Sequence, residues 1–168
     1  MTNMDILYKR IRLLLWFFIA ALIASGLTAF PLEWELGVLT HLAAHSPLPM
    51  LWPDLVEWIV RVNTGLQETY RRYPFIAYGT DWLAFAHIVI AVAFLGPLKD
   101  PVRNIWVIEF GMIACVLVLP LALICGPIRG IPFYWRLMDC SFGVLGIIPL
   151  WLCRNMIRQI EAASWKEA

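Results

Sequence analysis

Charge is scarce in this sequence. Asp, Glu, Lys and Arg together make up only 15% of the chain, hydrophobic residues make up 61%, and the formal net charge is +1. A nucleic-acid partner therefore has no electrostatic basis, because polyanion binding needs a massed basic face. Paired cysteines are missing too. Cys115, Cys125, Cys140 and Cys153 form no C-x-x-C motif, and no His stands at metal-finger distance from one. They read as small buried hydrophobes, with a Cys125–Cys140 disulfide left open. No glycine-rich phosphate loop, nucleophile elbow or Ser-His-Asp set appears.

What the chain has instead is long apolar runs, at a mean hydropathy of +0.74. A soluble domain of 168 residues could not cover that much apolar surface. Residues of about 13–31, 82–98, 105–128 and 135–153 each approach or reach the roughly 20 that a bilayer crossing needs. The first is longer than a secretory h-region and is followed by no good cleavage site, so it is expected to stay as a span. No period-2 barrel pattern exists, which leaves helices to satisfy the backbone in lipid. The fold expected is all-α: one membrane domain, an integral membrane four-helix bundle with an extra-membrane helical loop, about 32–80, between spans 1 and 2.

Orientation follows from the cations. With the N-terminus inside, Lys9, Arg10, Arg12, Lys99, Arg103, Arg154, Arg158 and Lys166 are cytoplasmic, while Arg61, Arg71, Arg72, Arg129 and Arg136 are outside. That bias predicts a multi-pass protein of the cytoplasmic membrane with both termini in the cytoplasm. Within the loop, Pro53 opens a segment whose Leu55, Ile59, Val62, Leu66 and Tyr70 make one apolar stripe. An earlier helix is expected over 33–44, ended by Ser46-Pro47-Leu48-Pro49.

The chain writes one phrase twice: GPLKDPVRNIWVIEFG at 96–111 and GPIRGIPFYWRLMDCSFG at 126–143. The plain reading is one re-entry problem solved twice. Gly-Pro closes a helix, a base meets headgroups, Trp sits in the interface, and an acid falls near the next helix N-terminus, where the dipole favours it. Asp81, Glu109 and Asp139 all fit that description.

The functional candidates are few. Asp81 and His87 are the candidate catalytic residues, either one to move protons, and six residues on a helix place His87 about 9 Å deeper and on another face. Asp81, His87, Arg129, Arg136 and Asp139 are the candidate ligand-binding set, with Arg136 and Asp139 spaced for an ion pair. His41 and His45 stand four apart, a spacing that can share a metal, but no H-E-x-x-H accompanies them and no metal is expected. Haem needs two axial histidines at membrane depth and only His87 qualifies, so haem would require another chain. Quinone stays open as an apolar ligand.

In outline, the four spans, long outer first loop and acids near helix ends are similar to the sterol-isomerase and sigma-2-receptor group. The likeness is one of shape and carries over no site residue. The first functional expectation is a binding or accessory subunit, holding a lipid, isoprenoid, quinone or partner subunit in the outer half of the bundle, or forming a homo-oligomer. The alternative is an intramembrane acid–base enzyme on a lipid-like substrate, with Asp81 or His87 moving protons and Arg129 or Arg136 stabilising negative charge. A third expectation is proton-coupled transport through Glu109 and Asp139.

Overall fold

Helix follows helix because these apolar runs offer the backbone no other partner than itself. The computed structural model describes residues 3–167, and among them there is no strand. α1 spans Asn3–Ala29, and the segment after it forms α2 (Leu32–Ala44), α3 (Leu48–Leu51) and α4 (Pro53–Arg72). A 3₁₀ turn at Pro74–Ile76 leads into α5 (Ala77–Ala93) and the short α6 (Leu95–Lys99). α7 (Ile105–Pro120) passes through a π-helical turn at Leu121–Cys125 into α8 (Gly126–Ile128), and α9 closes the chain at Phe133–Glu167. Four stretches are long and apolar enough to cross a bilayer: Met4–Ala29, Pro74–Lys99, Ile105–Ile128 and Phe133–Ala163. This is the build of a small multi-pass membrane protein.

Two compact units emerge, each made of discontinuous sequence or sharing a helix with the other. One comprises Met1–Ala21 with Ile90–Ala168, the other Leu22–Val89. In the first, α7 and α9 form the main packing pair. Their approach depends on small residues. A Cβ on Gly143 would collide with the Cys115 carbonyl oxygen, and one on Gly146 would lie 3.0 Å from Cys115 Sγ. A Cβ on Gly111 would stand 2.7 Å from Phe94 and 2.8 Å from Leu150. Lipid offers no hydrophobic drive between helices, so close backbone contact through glycine is how apolar helices gain attraction. Ile11, Leu15, Phe94, Ile108, Leu150, Cys153 and Ile157 make the buried core of this unit, and Phe18 tilts against Phe94 at 4.8 Å between ring centroids.

α9 runs well past residue 153, where the apolar run ends. Leu150, Cys153, Ile157 and Ile160 are all buried. Their steps of three and four carry one apolar stripe onward after the other faces turn polar, and that stripe keeps the helix packed. All four cysteines are free thiols, so the disulfide left open between Cys125 and Cys140 is not formed. Pro120, which has no N–H to donate, immediately precedes the π-helical turn, the kind of local widening that accommodates a lost helical bond.

The second unit packs α2 and α3 on α4. Ser46 ends α2: its hydroxyl donates to Ala43 O at 2.8 Å and accepts from Leu48 N at 3.1 Å. Ile59, from the expected apolar stripe of α4, is buried. Gly26 of α1 meets α5 closely, since a Cβ there would lie 2.9 Å from Ala84 O.

Candidate functional site

The two repeated phrases fold by different chemistry. In the first, Asp100 Oδ1 accepts from Arg103 N at 3.0 Å, and Asn104 Nδ2 donates to Asp100 O at 2.9 Å and to Gly96 O at 3.3 Å. Side chains hold that turn. The second is a backbone device. Ile131 N donates to Gly126 O at 3.0 Å and Gly130 N to Pro127 O at 3.1 Å, with Gly130 at φ +70°. This pair of bonds is the Schellman closure, which needs a left-handed residue that glycine supplies.

The acids are not where free N–H groups lie. α5, α7 and α9 have no acidic residue in the first turn. α5 and α9 begin earlier than their apolar runs do, at Ala77 and Phe133, and α7 begins with its run at Ile105, so Asp81, Glu109 and Asp139 all stand past the first turn. The macrodipole account of these acids is therefore corrected, because that effect fades within one turn. Glu109 instead takes Arg154 Nε at 2.9 Å and Arg158 Nη2 at 3.5 Å, and Arg158 also reaches Glu161 at 3.2 Å. The sequence held a signal for this network: two arginines one helical turn apart, immediately after a span.

Arg136 is not paired with Asp139. Its guanidinium lies 5.2 Å from the Phe133 ring centroid, its stem packs on Gly126, where a Cβ would collide with Arg136 Cδ, and its Nε is buried without a hydrogen bond. Asp139 is partly buried in the same unit, and Arg129 is exposed beside the Schellman turn.

In the unit Leu22–Val89, Asp81 lines a pocket of about 310 Å³ with Phe30, Tyr78, Trp82 and Phe85. The rings of Tyr78, Trp82 and Phe85 meet edge to face at 5.9 and 5.7 Å. Positions 78, 82 and 85 repeat at helical spacing, so the sequence carries this aromatic stripe on one face of α5. No hydrogen bond or ion pair engages Asp81 among the described residues. His87 is not among the walls of that pocket. It sits where α1 and α5 touch, with its Cβ 3.1 Å from the point a Gly26 Cβ would occupy. Its Nδ1 donates to Leu83 O of its own helix at 2.8 Å, which leaves Nε2 as the remaining ring nitrogen.

A larger open groove of about 910 Å³ lies beside α2, the end of α4 and the start of α5. Phe30, Trp34, Val38, Leu42 and Tyr70 give it apolar walls, with Glu33, His41 and Gln67 as its polar groups. Thr80 uses its hydroxyl proton on Ala77 O at 2.7 Å, so Tyr70 is the donor in the 3.1 Å bond between the two hydroxyls. That bond ties the end of α4 to the start of α5. His41 and His45 stack face to face at 4.2 Å, and His45 Nδ1 is engaged by His41 O at 2.8 Å. Stacked rings do not converge their nitrogens on one point, and among the described residues no group of three His, Cys, Asp or Glu could hold a metal.

No protein family, curated protein or solved structure matches this chain.

Proposed function

We propose that this is a binding or accessory protein of a cytoplasmic membrane, with both termini in the cytosol, that holds an apolar ligand such as a lipid, isoprenoid or quinone. The observation that carries this reading is the groove of about 910 Å³ lined by Phe30, Trp34, Val38, Leu42 and Tyr70. Ligand sites are typically concave, mostly apolar and furnished with a few polar groups, and this groove has that composition. Phe30 also borders the Asp81 pocket, so one amphiphile has apolar walls for its chain and a carboxylate for its polar end.

The test is to fill the groove. Gly37 borders it and has nothing within 4 Å of a notional Cβ, so Gly37→Trp occupies the space without a backbone clash. Lipid extracts of the purified wild type are expected to show one enriched species that Gly37→Trp lacks at unchanged thermal stability. Identical extracts from the two proteins, both matching bulk membrane, would sink the reading.

A second reading, acid–base chemistry on a lipid-like substrate, draws on the unengaged Asp81 carboxylate in its aromatic pocket. It expects Asp81→Asn to abolish turnover while ligand retention persists.

A further inference from the structure

A separate hollow lies in the unit that joins the start of α1 to α6. Arg12, Trp16, Leu95, Gly96, Leu98 and Lys99 line its volume of about 730 Å³. Arg12 stands at the edge of the first apolar run, and Trp16 is one helical turn inside it. Lys99 stands at the edge of the second, and Leu95 is one turn inside that. Four residues of helix rise about 6 Å along the axis. The lining is therefore graded, cationic at the membrane edge and apolar just beneath.

Arg12 and Lys99 take part in no ion pair among the described residues, while Glu109 is occupied by Arg154 and Arg158. Asp100, next to Lys99, turns its carboxylate to the Arg103 backbone N–H. Asp5 belongs to a neighbouring hollow with Tyr8 and Lys9, which Arg12 also borders. The floor is held in shape by Asn104, whose amide donates to Gly96 O and packs where a Gly96 side chain would stand.

We propose that this hollow seats the headgroup of an anionic phospholipid. The phosphate lies between Arg12 and Lys99, and the glycerol and upper acyl chains lie on Trp16, Leu95 and Leu98. A guanidinium offers phosphate a two-pronged donor set and an ammonium a point charge. Cations at the membrane surface attract anionic lipid, each adding to the preference. Free phosphate would use the cations but gain nothing from the apolar floor, which is why a lipid is the occupant. The site is independent of the groove beside α2 and α4, so either can fail alone.

The experiment uses the full chain in nanodiscs of equal parts dioleoyl phosphatidylglycerol and dioleoyl phosphatidylcholine, with retained lipid read by native mass spectrometry. The wild type is expected to retain phosphatidylglycerol preferentially, and millimolar inorganic phosphate is expected not to displace it. Arg12→Gln with Lys99→Gln should lower that preference about tenfold or more, as expected for two surface cations. Arg12→Lys with Lys99→Arg should keep it, and so should Arg61→Gln with Arg71→Gln, which removes exposed charges on α4. Equal retention of both lipids overturns the proposal, as does the same loss in the α4 variant. Displacement by inorganic phosphate overturns it in favour of a free-anion site. If the neutral pair does not fold, salt titration of the wild type decides: preference must fall as ionic strength rises, and a salt-independent preference overturns the proposal.

Discussion

Arg154 donates its Nε–H to Glu109 Oε1 across 2.9 Å, joining α9 to α7 at the end of the molecule where both leave their apolar stretches. Arg158 approaches the same oxygen, so one carboxylate serves two cations. Each side chain of the closer pair is still 37% exposed, which limits the gain through solvent screening. Glu109→Gln is expected to destabilise the protein by about 1 kcal/mol or less. Charge reversal at Arg154→Glu should cost more, because it sets two carboxylates together. Equilibrium unfolding in mixed micelles orders the two variants, and equal stability of both would remove the network from any structural role.

The α7–α9 crossing is the stiffer constraint. Gly143 has backbone, not a flexible side chain, in the space a Cβ would take. Gly143→Leu is expected to cost roughly 3 kcal/mol or prevent folding, since the helices must separate. Gly65 lies within α4 with nothing within 4 Å, and Gly65→Ala should stabilise by about 1 kcal/mol through helix propensity. Thermal unfolding in detergent that gave the two substitutions the same sign would contradict the packing described.

The two turns should respond to different substitutions. Asn104→Ala removes two hydrogen bonds that close the first repeated phrase, at about 1–2 kcal/mol. Gly130→Ala forces a Cβ into the left-handed region at φ +70°, at about 1 kcal/mol. Denaturation midpoints of the single and double variants are expected to add, because the turns share no residue. Strong coupling between them would show that the turns do not act separately.

Topology is open to direct test. Fusing a folding reporter to either terminus should give signal only when the reporter works in the cytosol, and a reporter inserted after Pro49, in the exposed α2–α4 segment, should work only outside. Cytosolic signal at Pro49 would invert the cation assignment.

The four spans and the helical segment between the first two were legible because length and apolarity are properties of a run and need no partner. The helix opening at Pro53 was legible for a similar reason, since its stripe and its N-terminal proline are local. The end of α9 was harder. Residues 154–163 turn polar on most faces, and only the continued spacing of Ile157 and Ile160 marks the helix as still packed. The acids misled because α5 and α9 start before their apolar runs do and Glu109 lies more than one turn into α7, so Asp81, Glu109 and Asp139 stand past the free N–H groups.

The sequence by itself determined that this chain belongs in a bilayer, about where it crosses, and that helices fill the segment between the first two crossings. Those follow from transfer of apolar groups and the need of every backbone amide for a partner, which each segment settles alone. Only the tertiary structure decided that Glu109 belongs to Arg154 and Arg158, that Arg136 turns to Phe133 rather than Asp139, and that Asp81 faces aromatic rings while His87 packs against Gly26. Distant partners such as Glu109 and Arg154 or His87 and Gly26 meet through helix rotation and close approach at glycine, and neither is written in the composition of any one run.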